Sequence, residues 1–213
     1  MADIDLANLR RQYTQASLSE DAAPADPFVL LRQWLEEAIA AQLLEPNAFV
    51  LATADKAGQP HARVVLLKGL EPPYLYFYTN YESAKAQEMA ENPRVAATFW
   101  WDVLERQVRI EGHVEKAPAA VSDAYFATRP YGSQIGAWAS PQSRPITAAE
   151  LQARWAEYSQ KYPEGNVPRP PYWGGYRIIP HRMEFWQGRP NRFHDRILYL
   201  RQGETWQKQR LAP

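Results

Sequence analysis

Cysteine is absent from this 213-residue sequence. Without a thiol the chain can form neither a disulfide nor a thiolate metal site, and it has no cysteine nucleophile. Its four histidines are scattered without the spacing of metal ligands. The Walker, G-x-G-x-x-G and G-x-S-x-G motifs are also missing. Kinase, hydrolase and zinc-enzyme functions therefore lose support, and no metal site is predicted.

An excess of either charge is missing too. The 24 basic and 24 acidic side chains cancel, and the pI is near 6.9, which argues against a general binder of nucleic acid or anionic membranes. No apolar run approaches the roughly 20 residues of a membrane-spanning helix. The opening segment MADIDLANLRRQYTQ lacks the apolar core of a secretion signal. We therefore expect a soluble protein of the cytoplasm.

Apolar periodicity predicts a mainly β architecture with peripheral helices. A helix is expected from Pro27, with Asp26 as its N-cap, and a capping box from Thr147 to Glu150 opens another. About nine strands and four or five helices fit one β-barrel domain at 26–213, preceded by a mobile or docking arm at 1–25. The apolar stripe of the first helix is predicted to comprise Phe28, Leu31, Leu35, Ala38 and Ile39.

The segment NRFHDR, residues 191–196, carries three basic side chains at a spacing of two. In an extended strand Arg192, His194 and Arg196 share one face, and such a row repels itself unless an anion lies over it. The segment is either a solvated edge strand, where positive charge discourages edge-to-edge pairing, or part of an anion site. The residues alone leave both interpretations open.

Further cations lie near other polar groups. Arg63 and Lys68 in ARVVLLK are five positions apart, on opposite faces of an unbulged strand, so they serve two anionic sites or simply mark the strand ends. In YTNYESAK, Thr79, Ser83 and Lys85 surround a predicted helix N-terminus, where N–H groups, hydroxyls and a lysine can hold a phosphate. Ordinary capping also explains Ser83.

The segment YFATRPYGS offers a third candidate anion site. Tyr125 and Arg129 are four residues apart on a predicted helix face, and Ser133 follows once Pro130 turns the chain. A phenol, a guanidinium and a hydroxyl can converge there on one phosphate. The alternative is an exposed helix end with an arginine near its last carbonyls.

A specific family resemblance emerges when the motifs are taken together. From about Leu9 to Pro213 the chain contains, in order, RVVLLK, FYTN, NPRVA, LERQVRIEG, YFATRP, SQIGAW, WGGYRI, EFWQG, RFHDR and RLAP. This set resembles the pyridoxamine 5′-phosphate oxidase family. The resemblance implies an antiparallel, Greek-key split β-barrel, working as a homodimer with FMN in clefts between subunits. It also implies oxidation of pyridoxamine and pyridoxine 5′-phosphates to pyridoxal 5′-phosphate by hydride transfer from C4′ to flavin N5, with O2 as acceptor and hydrogen peroxide as product.

The resemblance implies a role for each matching residue. The expected FMN contacts are Arg63, Val64, Val65, Leu66, Leu67, Tyr78, Thr79, Lys85, Gln107, Gln142, Ser143, Trp186 and Arg196. Ser83 and Lys68 complete the predicted cofactor site. The expected grip on the substrate phosphate comprises Lys68, Tyr125, Arg129 and Ser133. Arg192 and His194 resemble catalytic residues that also bind substrate, and Arg10 and Tyr13 resemble arm residues that close over it.

One departure from the family pattern concerns the cofactor. The family commonly has Arg immediately before the lysine that corresponds to Lys85, often as SRK, whereas this chain has Ala84 in SAK. One phosphate contact is therefore absent, and FMN affinity is either weaker or compensated from elsewhere.

Two other classes of function stay open. A related split-barrel flavoprotein acting on another small molecule would lack the cluster of Tyr125, Arg129 and Ser133. A non-enzymatic module would bind FMN or pyridoxal phosphate without turnover.

Overall fold

The computed structural model describes residues 5–9 and 11–213. The chain forms two compact units. Unit 1 comprises Met1–Pro46, Thr98–Ile110 and His181–Pro213, and unit 2 comprises Asn47–Ala97 and Glu111–Pro180. The division into an arm at 1–25 and a single domain at 26–213 stays a prediction.

The described part of the chain contains nine strands and five α-helices, as predicted. The strands are β1 (Ala48–Ala54), β2 (Pro60–Leu66), β3 (Gly69–Glu71), β4 (Tyr74–Asn80), β5 (Arg94–Trp101), β6 (Arg106–Lys116), β7 (Trp173–Gln187), β8 (Asp195–Gln202) and β9 (Thr205–Arg210). The helices are α1 (Pro27–Ala40), α2 (Ala84–Glu91), α3 (Ala119–Ala127), α4 (Tyr131–Ala139) and α5 (Ala148–Lys161). None of these helices has the length and apolar character needed to cross a membrane.

Strand pairing gives each unit its framework. The hydrogen-bonded order of the strands is β2-β1-β5-β6-β7-β4-β3, and the β1–β2, β3–β4 and β4–β7 pairs of unit 2 are antiparallel. In unit 1, β8 pairs antiparallel with both β7 and β9. The predicted mainly β architecture with peripheral helices is therefore confirmed.

Helix α1 contributes to an aromatic core in unit 1. Its N-cap is Asp26, whose side chain accepts the backbone N–H of Phe28, as predicted. Trp34 packs edge-on against Trp101 and Phe185, with ring centroids 6.4 and 5.3 Å apart. Because each buried aromatic ring removes a large apolar area from water, this cluster stabilises the unit.

The predicted stripe of α1 was only partly right. Phe28, Leu31 and Ala38 are buried, whereas Ile39 is 61% exposed. Leu35 is only half-buried. Pro27, Leu30 and Trp34 supply the remaining buried surface. The buried face of the helix is therefore turned toward the side that carries Leu30 and Trp34, and away from Leu35 and Ile39.

Unit 2 is organised around stacked rings and one close backbone approach. Phe77 on β4 stacks on Tyr176 of β7, with ring centroids 5.7 Å apart. Phe49 of β1 packs edge-on against Phe77, with centroids 6.2 Å apart. A Cβ at Gly112 would lie 2.4 Å from the carbonyl oxygen of Ile179. Glycine is therefore required where β6 meets β7.

Candidate functional site

A cavity of about 550 Å³ lies within unit 2, and we call it the basic cavity. Its volume falls in the range of small-molecule sites, roughly 300–1,000 Å³. Strand β2, the end of β4, the start of α2 and the segments after α3 and α4 all contribute to its wall. The lining residues are Arg63, Val64, Val65, Leu66, Lys68, Tyr78, Thr79, Ala84, Lys85, Tyr125, Arg129, Gln142, Ser143 and Trp173.

Arg63 is held in this wall by three groups of its own unit. Its Nη2 atom donates to Glu88 Oε2 at 2.9 Å, and Nη1 donates to Thr53 Oγ1 at 2.5 Å and to the Leu51 carbonyl at 3.2 Å. Burial opposes the ionisation of Glu88, but hydrogen bonds from Thr53 and Arg63 outweigh it and lower the pKa of this carboxyl. The guanidinium is thus fixed by a carboxylate that stays charged.

Lys85 brings a buried ammonium group to the same cavity. The residue is 8% exposed, and its Nζ atom donates to Thr79 Oγ1 at 3.2 Å and Ser83 Oγ at 3.4 Å. Burial and then the charge of Arg63 lower the pKa of Lys85, while Glu88 partly opposes this shift. Since an adjacent anion favours the charged form of a lysine, the surroundings of Lys85 suit an anionic ligand.

Arg129 carries a buried donor without an acceptor. Its Nη1 atom has no hydrogen-bond partner among the described residues. The guanidinium lies over the ring of Trp173 at 4.4 Å, and Tyr125 stacks on Tyr78 with centroids 3.8 Å apart. Burial lowers the pKa of Arg129, and Tyr125 opposes that shift. An orphaned charged donor is costly, so this position fits an anionic acceptor.

A second cavity of about 600 Å³ lies within unit 1 beside the N-terminal segment, and we call it the arm cavity. His194 accepts the backbone N–H of Arg189 at Nδ1, 3.1 Å away, and its ring lies 4.6 Å from that of Trp186. Burial lowers the pKa of His194, as does the charge of Arg192. The lining residues are Leu9, Arg11, Gln12, Tyr13, Trp186, Arg189, Asn191, Arg192 and His194.

The predicted row of three basic side chains on one strand is wrong. Residues Pro190–Arg192 form a 3₁₀ turn in which Asn191 and Arg192 have φ values of 55° and 63°, and β8 begins only at Asp195. Side chains alternate faces only in extended backbone, so the spacing rule fails here. Arg192 and His194 line the arm cavity, whereas the guanidinium of Arg196 donates to Glu184 at 2.8–2.9 Å.

Comparison with known proteins assigns the family. Residues 35–164 match the family model described as pyridoxamine 5′-phosphate oxidase, and residues 173–213 match the one described as pyridoxine 5′-phosphate oxidase C-terminal dimerisation region. The first match alone covers more than half of the chain. The chain belongs to the pyridoxamine 5′-phosphate oxidase family. As a member it is an oxidoreductase.

Relatives match along nearly the whole length of this family member. The pyridoxine/pyridoxamine 5′-phosphate oxidase of Rubrobacter xylanophilus is 56% identical over 98% of this chain and 97% of its own. The enzyme of the same name from Synechocystis is 51% identical over all of both chains. Among solved structures, PhzG from Burkholderia lata in complex with tetrahydrophenazine-1-carboxylic acid has a TM-score of 0.86 at 31% identity, covering 91% of this chain and 95% of its own. The predicted split β-barrel fold is confirmed.

The structure brings most of the residues expected from the oxidase family into the basic cavity. Ser133 lines an adjoining recess of unit 2 together with Arg129. Leu67 and Ser83 are buried beside the lining residues. Within unit 1, Gln107 is half-buried on β6. Arg10 lies outside the described residues.

The expectation that Arg63 and Lys68 lie on opposite faces of one unbulged strand is wrong. Both line the basic cavity, and β2 ends at Leu66, before Lys68 is reached. The Leu67 N–H donates to Asn47, and the Lys68 N–H donates to Tyr76, each at 2.8 Å. Alternation along β2 therefore does not extend to Lys68.

Sequence reasoning missed several residues that shape the two cavities. Glu88 and Thr53 hold Arg63, Trp173 lies against Arg129, and Arg189 contacts His194. Glu88 alone had a local signal, because it follows Lys85 by three positions on α2 and therefore shares its face. Thr53 reaches Arg63 across the β1–β2 hairpin, and Trp173 reaches Arg129 from a distant segment. Arg189 lies only five residues from His194, but it acts through its backbone N–H, which side-chain patterns do not mark.

Proposed function

We propose that this protein oxidises pyridoxamine 5′-phosphate and pyridoxine 5′-phosphate to pyridoxal 5′-phosphate, with FMN as cofactor and O2 as acceptor, producing hydrogen peroxide. The observation that carries the proposal is the buried Nη1 atom of Arg129, which has no partner among the described residues. A substrate phosphate supplies the missing acceptor. The names of the 51–56% identical relatives support the choice of substrates.

The residues of the basic cavity also fit the phosphate of FMN. Arg63 is held by Glu88, and the buried Lys85 donates only weakly, at 3.2–3.4 Å, to Thr79 and Ser83. A phosphate beside Arg63 and Lys85 offsets both the burial of the ammonium and the repulsion between the two cations. These two residues would hold the cofactor phosphate, with Thr79 and Ser143 as additional donors.

The protein's part in the reaction is to bind, orient and supply fixed charge. When bound, FMN supplies a hydride acceptor at N5 that oxygen can reoxidise. Arg129, Tyr125, Ser133 and Lys68 would hold the substrate phosphate, which positions C4′ for transfer. His194 presents an N–H at Nε2, because its Nδ1 atom is engaged by Arg189. Arg192 adds positive charge beside it, where it can favour the anionic phenol of the substrate.

The proposal includes the assembly. The match of residues 173–213 to a dimerisation region supports a homodimer, and we infer that FMN binds in clefts between the subunits. A cytoplasmic location, and the absence of nucleic-acid and membrane partners, stay predictions from composition.

The test is an absorption spectrum after incubation with FMN, followed by oxygen uptake with pyridoxamine 5′-phosphate. We expect a flavin spectrum, one FMN per subunit, and formation of pyridoxal 5′-phosphate with hydrogen peroxide. Unphosphorylated pyridoxamine is the matched control and should react far more slowly. Flavin binding without turnover would indicate a binding module, and equal turnover of both amines would remove the role of the Arg129 site. Light scattering that shows a monomer would contradict the interfacial cofactor.

A further inference from the structure

Two carboxylates in unit 1 hold the N-terminal segment by its backbone. The N–H groups of Thr14 and Gln15 both donate to Glu105 Oε2, at 2.7 and 3.0 Å. Three residues after Gln15, the N–H of Leu18 donates to Asp195 Oδ2 at 3.0 Å. Hydrogen bonds to an ionised acceptor are stronger than those between neutral groups. The segment is therefore fastened at two points that do not depend on its own side chains.

Glu105 is itself fixed to the strand that carries the arm cavity. It is 4% exposed and has a left-handed φ of 55°, and its N–H donates to the carbonyl of Asp102 at 3.1 Å. Its carbonyl accepts the backbone N–H of Gly188 at 2.7 Å and the side-chain amide of Gln187 at 3.3 Å. The carboxylate is consequently presented from a rigid turn.

Tyr13, immediately before the two held N–H groups, reaches the arm cavity. Its ring packs edge-on against Trp186 at 5.6 Å and lies 5.7 Å from the ring of His194. A Cβ at Gly188 would lie 2.8 Å from Tyr13 Cγ and 3.0 Å from Glu105 Cβ. Tyr13 and Glu105 therefore both pack against Gly188, where a larger residue would displace them.

We propose that Glu105 is a positioning residue, which holds Tyr13 against Trp186 and His194 by binding the two N–H groups that follow Tyr13. Two consecutive donors on one oxygen fix the direction of the backbone at this point, and hence the direction in which the preceding side chain leaves it. The inference rests on the proposed function together with the role that the family resemblance implies for Tyr13, which is to close over the substrate. It adds the group that keeps the tyrosine in place.

The first readout is hydrogen–deuterium exchange of segment 11–18 and needs no substrate. In Glu105→Ala the Thr14 and Gln15 amides should exchange roughly tenfold faster, as expected when bonds to a charged acceptor are lost. Glu105→Gln should lie between Glu105→Ala and wild type, because an amide oxygen still accepts. Gln42→Ala is the matched control, since Gln42 is exposed and has the same φ of 55°. Unchanged exchange in both Glu105 variants would overturn the proposal.

The second readout is a double-mutant cycle with pyridoxamine 5′-phosphate. Glu105→Ala should raise KM roughly tenfold with a smaller change in kcat, the pattern of lost binding. In a Tyr13→Ala background the same change should add less than about twofold, because both act through one contact. Additive effects would refute action through Tyr13. If the wild type fails to oxidise the substrate, the proposed function fails, while the exchange experiment still decides whether Glu105 holds the segment.

Discussion

The backbone N–H of Arg189 donates a hydrogen bond to Nδ1 of His194 across 3.1 Å. With Nδ1 as acceptor, the neutral ring carries its proton on Nε2. Protonation would place a second N–H against that of Arg189 and break the bond. Burial and the charge of Arg192 lower the pKa of His194, and the opposing effect of Asp195 is smaller. Geometry and electrostatics together favour the neutral ring.

This coupling predicts that Arg192→Leu raises the pKa of His194. Removal of the nearby cation makes the imidazolium less costly, so the ring should protonate at higher pH than in the wild type. NMR titration of the His194 ring measures this directly. Arg196→Leu is the control, since its guanidinium pairs with Glu184, and it should leave the pKa unchanged. An unaltered pKa in Arg192→Leu would show that the two charges are not coupled.

The same shift predicts the acid side of the pH–activity profile. The neutral ring is present above the pKa of His194 and is lost as the pH falls through it. Because this pKa lies below the ordinary histidine value of about 6.5, kcat/KM should stay high to a lower pH than an unperturbed histidine permits. A pH–rate profile in which activity already declines above about pH 6.5 on the acid side would contradict a role for neutral His194.

Removal of the orphaned donor on Arg129 should weaken substrate binding. Arg129→Ala deletes a charge-assisted contact of about 1.5–3 kcal/mol, or roughly a tenfold to hundredfold rise in KM. FMN content should hardly change, because Arg63 and Lys85 remain. Arg129→Lys is the control that keeps the charge without the guanidinium geometry, and it should recover only part of the loss. A variant that lost flavin but kept its KM would move Arg129 to the cofactor site.

Local sequence signals predicted the structural features that depend on contacts between residues close in the chain, such as helix caps. Asp26 caps α1 within two residues, and Thr147 forms its capping box with Glu150 three residues on. The Arg192–His194–Arg196 row failed because alternation presumes extended backbone, and the 3₁₀ turn at Pro190–Arg192 interrupts it. The bond from Thr14 to Glu105 joins residues 91 positions apart. No local pattern encodes such a contact.

Arg196→Leu should lower both stability and flavin retention. In unit 1 the Arg196 side chain donates to Glu184, whose side chain is only 3% exposed. The substitution weakens the compensation of a buried carboxylate, so urea denaturation should show a loss of about 1–3 kcal/mol. Arg196→Lys should recover part of it. Equal stability of Arg196→Leu and wild type would mean that the other arginines near Glu184 suffice, and full FMN occupancy would remove Arg196 from the predicted cofactor site.

Ala84 offers the sharpest test of the cofactor site, because a gain is expected. Ala84 lines the basic cavity at the first residue of α2, next to Lys85, at the position where the family resemblance predicts arginine. Ala84→Arg should tighten FMN binding roughly tenfold, as one added charge-assisted bond to a phosphate predicts. Titration of the apoprotein with FMN, followed by flavin fluorescence, measures the Kd. Ala84→Gln extends the side chain without charge and should give a much smaller gain. If arginine weakens binding or leaves it unchanged, the phosphate does not lie beside the start of α2, and Arg63 and Lys85 lose their assigned role.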